Sequence, residues 1–209
     1  MPQTLRRSTF IAATAAAAVA VAAGTAFAST VVTPAGQAVT ASSSNLSFKM
    51  GALTLACTST TSSGTIPTSP ANSNAATGGI NINIGTPTLT GCKANGVIPA
   101  TIATSGLWQL NVSGDNIPSG GAAEGFVVVP AGGAVITVPG LTCTITIGAS
   151  TIGPLPFDST NQRVVAKNTG AANYTITGTG SLCSGVTTGI ATMSGSLQFS
   201  SPTPINVTG

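Results

Sequence analysis

The side chains that could do chemistry are few. The 209-residue chain holds four cysteines and three carboxylates, and it has no histidine. A Ser-His-Asp triad is therefore excluded, and no Gly-x-Ser-x-Gly elbow occurs. A cysteine nucleophile would lack its base. A glycosidase would have to draw both its acid and its base from Asp115, Glu124 and Asp158. All three stand in sequence that reads as loop, where a carboxylate is an ordinary solvated turn residue. Calcium wants a denser set of oxygens than Asp115-Asn116 supplies. Gly178-Thr179-Gly180 imitates a phosphate loop, but Cys183 stands in place of the last glycine and no helix-forming run follows. The expectation is a protein that is not an enzyme, with no catalytic residue, metal or cofactor.

The cysteines are Cys57, Cys92, Cys143 and Cys183. Zinc is disfavoured because no two of them are close in sequence and no histidine helps them. An even count in an exported chain reads as two disulfides, and four cysteines allow three pairings. An internal echo favours one of these. Leu53-Thr54-Leu55-Ala56-Cys57 is followed by Gly64-Thr65-Ile66-Pro67, by Cys92, and by an alternating run from Ile102 to Leu110. Leu141-Thr142-Cys143 is followed by Gly153-Pro154-Leu155-Pro156, by Cys183, and by an alternating run from Ile190 to Phe199. The separations are 35 residues for Cys57 and Cys92 and 40 for Cys143 and Cys183. The expected bridges are Cys57–Cys92 and Cys143–Cys183, one in each of two pseudo-repeats covering about 45–125 and 126–209.

The elements that must position these residues read as strands. Leu141 to Ile147 alternates apolar residues with threonine, and Cys143 falls on the apolar face. Ile80, Ile82 and Ile84 share one face of a second strand, and Trp108, Leu110 and Val112 share one face of a third. Phe126 to Val129 is continuously apolar, as in a strand buried on both sides. Residues 61–79 are Ser, Thr, Gly, Asn and Pro with little to bury, which predicts a long loop. A proline loop is expected after the Cys143 strand. Thr, Val and Ile favour strand, Gly and Pro punctuate at strand-length intervals, and no segment after residue 28 has helical period. The expected fold is all-β: a Greek-key, Ig-like β-sandwich of roughly ten to twelve short strands over residues 45–209. A closed β-barrel is the second choice. Residues 29–44 read as a flexible leader or an edge strand.

Residues 1–28 read as a secretory signal peptide. Arg6-Arg7 is its charged start, Ile11 to Ala22 its apolar middle, and Ala26-Phe27-Ala28 a cleavage site after Ala28. Phe10 comes one place late for a twin-arginine signal, which favours the general secretion route. Beyond Ala28 the chain keeps four cations, Lys49, Lys93, Arg163 and Lys167, against three anions. Only 4% of the whole chain is charged, against roughly a quarter in an average globular protein. Scattered cations do not make a nucleic-acid surface. No apolar run of the mature part is long enough for a transmembrane helix. So weak a charge repels neighbours little and permits self-association.

Leu-Thr-Cys-Thr at 141–144, Thr90-Gly91-Cys92, Leu182-Cys183 and the alanine-rich signal together resemble the small secreted four-cysteine, Thr/Gly-rich proteins of actinobacteria, a group with no assigned activity. That resemblance implies an exported all-β protein and carries over no functional residue. The expected function is a non-enzymatic protein of the cell surface or extracellular matrix, a cell-envelope component or self-associating partner. One alternative is a soluble extracellular module for an apolar small molecule, with Trp108, Phe126 and Phe157 as candidate ligand contacts. Trp108 could equally stack on a sugar, but its alternating strand favours the core. A further alternative is an outer-membrane β-barrel pore, against which the frequent Gly and Pro breaks count.

Overall fold

A computed structural model describes residues 29–75, 78–114, 123–140, 142–178 and 187–209. The expected signal peptide therefore lies outside the described residues. Within them the chain is all β, with no helix. The first strands are β1 (Thr30–Thr33), β2 (Ala38–Ser43), β3 (Ser47–Met50), β4 (Leu53–Ala56), β5 (Ser59–Thr65), β6 (Ser73–Asn74) and β7 (Ile80–Gly85). Next come β8 (Thr88–Thr90), β9 (Lys93–Ala94), β10 (Ile98–Pro99), β11 (Thr101–Thr104), β12 (Trp108–Ser113) and β13 (Ala123–Val129). The last are β14 (Ala134–Val138), β15 (Cys143–Ile147), β16 (Ser150–Asp158), β17 (Arg163–Gly178), β18 (Thr187–Ser200) and β19 (Asn206–Thr208). Several are two-residue bridges, so their number exceeds the ten to twelve expected.

The architecture is the barrel, which stood second to the sandwich among the expectations. Eight strands close a ring in the order β18-β2-β5-β7-β12-β13-β16-β17, and β17 pairs back onto β18. Alternation alone does not separate the two folds, because both put every second residue inward. The long β17–β18 hairpin decides it. Its pairing runs from Arg163↔Gln198 to Ile176↔Thr187. Near its Arg163 end β17 pairs with β16 and β18 with β2. Further along, β17 pairs with β15 and β18 with β3. Bulges between Ala166 and Thr169 and between Gly170 and Ala172 fall where the partners change, which fits the added twist and bend a bulge supplies.

A second sheet grows from the far part of the hairpin. On one side it continues β17-β15-β14-β11, and on the other β18-β3-β4-β9-β10. Its two end strands, β10 and β11, are separated in sequence only by Ala100. The Ala100 N–H donates to the Cys92 carbonyl at 2.9 Å, so the chain itself joins these ends. One continuous apolar core runs through the ring and the second sheet, from Phe157, Phe199 and Leu155 to Leu55, Ile136 and Ile145.

A small sheet, β19-β1-β6, closes the end where β7 begins and β12 finishes. Thr30 is fully buried there. Its hydroxyl donates to the Gly78 carbonyl and accepts from the Gly114 N–H. Residues 38–43 thus form β2, paired with β18 on one side and β5 on the other, with Val39 and Ala41 buried. The leader-or-edge reading of 29–44 gives way, because ladder bonds rather than bulk hold this stretch.

The same reason corrects the loop expected at 61–79. β5 carries no apolar face, yet six of its residues pair with β2. A Cβ on Gly64 would run into the backbone carbonyl of Asn83, so glycine here lets β5 approach β7. The proline loop after β15 is also a strand. Pro154 and Pro156 lie in β16, whose ladder with β17 holds only Phe157 and Asp158. The prolines fall where that edge has no neighbour and no N–H is needed. β13 alternates rather than burying both faces: Val127 and Val129 point in, while Phe126 and Val128 are half-exposed.

The turn before β17 ties down the last segment. The Gln162 amide accepts from the Ile205 N–H at 2.7 Å and donates to the Ile205 carbonyl at 2.9 Å, as a strand residue would. The Gln162 carbonyl accepts from the Phe199 N–H at 2.7 Å. Gln162→Ala removes both amide bonds beside the buried Ile205. It is expected to cost about 1–3 kcal/mol in denaturant unfolding. A cost below a few tenths of a kcal/mol would show that water replaces the amide freely.

Candidate functional site

Two of the three carboxylates, Glu124 and Asp158, fall among the described residues. Asp115 lies outside the described residues. Glu124 is exposed on β13, in register with Ser113 and Pro156. Asp158 ends β16 and accepts from the Asn161 side chain at 2.7 Å and the Asn161 N–H at 2.9 Å. Those bonds, with Arg163 Nε at 3.6 Å, hold its carboxyl below the usual carboxylate range. This is the chemistry of a turn.

The cysteines do what half of the expectation required. Cys57 and Cys92 form a disulfide, and both are buried. Cys143 is also disulfide-bonded, but the expected partner, Cys183, lies outside the described residues. A disulfide points to an oxidising, extracellular setting. No helix among the described residues is long and apolar enough to cross a membrane, and none of their His, Cys, Asp and Glu side chains form a group of three fit for a metal. The stretches that echo each other in sequence occupy different settings. Ile190 to Phe199 lies within one strand, β18, whereas Ile102 to Leu110 is split between β11 and β12. Gly106, at φ +69°, makes that break.

The three aromatic candidates part company. Phe157 is fully buried against Phe199, with ring centroids 6.1 Å apart and planes tilted by 56°. Phe126 lies outside the barrel, over Gly153, where a Cβ would strike its ring. Trp108 alone reaches open interior space. Its ring nitrogen donates to the Ser105 carbonyl at 3.2 Å, which anchors the indole at the start of β12. With Phe48 and Leu89 it stands between two small cavities, of about 30 and 40 Å³ as space for the centres of water-sized spheres.

No family model matches the chain, and neither a curated protein nor a solved structure does. The site must therefore be read from this structure. The first cavity lies within the second sheet, among Leu55, Ile102, Ile136 and Ile147, and its lining residues are all apolar. The second lies within the eight-strand ring, among Ile84, Val127, Met193 and Leu197, and it differs. Thr60 and Ser62 of β5 also line it. Sequence reasoning missed Thr60, because one threonine in a threonine-rich stretch gives no signal until its burial is known.

The outer face is the other candidate. On the neighbouring strands β2, β5, β7 and β12, the outward residues include Thr40, Ser42, Thr61, Ser63, Asn81, Asn83, Gln109 and Asn111. Thr40 pairs with Ser63, and Ser42 with Thr61. The Asn111 side chain donates to the Asn81 side chain at 2.8 Å across the strands. No residue of these four strands is charged.

Proposed function

We propose that the protein is secreted and non-enzymatic, and that it acts at the cell surface or in the surrounding matrix through its outer wall. The observation that carries this reading is the uncharged face of hydroxyls and amides across β2, β5, β7 and β12. Such groups donate and accept without regard to pH, and they meet no net repulsion from a second copy or from a neutral polymer. A lipid-facing barrel wall would instead carry an apolar band. The Cys57–Cys92 disulfide supports an oxidising location.

Fractionation of the producing cells, following the mature chain under non-reducing conditions, tests this. The expected result is recovery with the envelope and release by a chaotrope without detergent. Full recovery in the medium as a monomer overturns the reading. Release by detergent alone would overturn it in favour of a membrane barrel.

A further inference from the structure

The cavity inside the eight-strand ring carries a cost that packing does not explain. Thr60 is 4% exposed, and its hydroxyl has no hydrogen-bond partner among the described residues. A buried hydroxyl without a partner is destabilising, and valine would fill the same shape without that cost. The neighbouring strands show the rule: Ile80, Ile82 and Ile84 on β7, and Leu110 and Val112 on β12, are buried and apolar. Thr60 therefore breaks the pattern at the cavity wall.

The space beside it is large enough to matter. About 40 Å³ is open to the centres of water-sized spheres, whereas one water needs only about 10–15 Å³ in that measure. A route in is also present. Ser62 lines both this cavity and an outer groove bounded by Thr40, Thr61, Thr86 and Thr88. On that side of β5 the ladder passes from β8, which pairs with Ser59 to Thr61, to β7, which pairs with Thr65. Ser62 to Gly64 have no ladder pair there among the described residues, and since Ser63 and Gly64 still lie close against Gly85 and Asn83 of β7, the opening falls at Ser62.

We propose that this cavity binds a small, uncharged, mostly apolar alcohol. The hydroxyl of the ligand meets Thr60 Oγ1, which can donate or accept. Its hydrocarbon body packs against Trp108, Ile84 and Met193. The ligand enters past Ser62. The cavity lies inside the ring, and only its entrance at Ser62 opens on the outer wall, so the proposal does not rest on what that wall binds.

Trp108 is the only tryptophan of the chain and lines both cavities, so its emission reports on either, and Thr60→Val separates the cavity that Thr60 lines from the all-apolar one. The test titrates the mature, disulfide-intact protein with cyclopentanol, and with cyclopentane as the control that lacks a hydroxyl. The expected result is a saturable change in Trp108 emission with cyclopentanol, and binding at least severalfold weaker for cyclopentane. Thr60→Val should weaken cyclopentanol roughly tenfold, the effect of losing one hydrogen bond, and leave cyclopentane unchanged. Thr60→Ser keeps the hydroxyl and should hold the alcohol within about twofold. No saturable response to cyclopentanol overturns the proposal and leaves the cavity to water. Equal binding of the two probes by the unaltered protein also overturns it, without reference to whether any variant folds.

Discussion

Phe157→Ala is expected to destabilise the protein by about 3–5 kcal/mol, the range for truncating a fully buried phenylalanine. The cost has two parts: the lost transfer free energy of the ring, and the void left where surrounding side chains cannot collapse. Phe157 is placed to make the second part large. It is fully buried and faces Phe199 of β18 across the interior. Its own strand pairs with Ala123 of β13 on one side and Val164 of β17 on the other. The β16–β17 seam of the ring consists only of Phe157↔Val164 and Asp158↔Arg163. A void at Phe157 therefore opens beside one of the two shortest ladders that close the barrel, the other being the single β5–β7 pair Thr65↔Asn83. Denaturant unfolding should show a lower midpoint, and a slope that stays constant if the fold survives. Phe126→Ala removes the same side chain from the outer face of β13 and should cost clearly less. Equal costs would mean that the ring is not closed at this seam.

The all-β class and several strand faces were legible because alternation is a local property. Ile80, Ile82 and Ile84, then Trp108, Leu110 and Val112, then Cys143, Ile145 and Ile147, all point inward as their spacing requires. What could not be read locally was closure. Whether alternating strands form two layers or a ring depends on which strands pair, and here that rests on one long hairpin with bulges at its handover. β5 was illegible for a different reason. Ser59 to Thr65 shows no apolar periodicity, and its place in the wall comes from its pairing with β2 and from Gly64 beneath Asn83. The prolines of β16 misled because they mark loops only where an N–H would be needed. The candidate site followed the same division. Trp108 stood out by type, while Thr60 matters only through where it is buried and what it lacks.

Replacing both Cys57 and Cys92 by alanine is expected to cost about 4 kcal/mol, from the loop-closure entropy returned to the unfolded chain. The bridged residues are 35 apart in sequence, and chain-entropy reasoning grows only slowly beyond that length. The fold gives this bridge a further local role. β4 passes through Cys57 into β5, and β8 passes through Cys92 into β9. β4 pairs with β9, and β5 pairs with β8. Two antiparallel segments therefore bend together from one sheet into the other, and the disulfide crosses between them at the bend. Gly91, at φ +62°, lets the segments touch there, since a Cβ would collide with Thr58. The Cys57 N–H donates to the Leu46 carbonyl at 3.0 Å, and the Cys92 carbonyl accepts from Ala100. Beyond the bend, β9 holds β4 and β10 through only two residue pairs each. Opening the bridge should therefore loosen the second sheet before the ring. Hydrogen exchange in the double variant should rise first at Lys93, Ala94 and Ile98, with Ile82 and Leu110 protected until global unfolding. Uniform loss of protection would show that the ring and the second sheet unfold as one unit. A total cost under about 1 kcal/mol would show that packing at the bend, rather than chain entropy, holds these segments together.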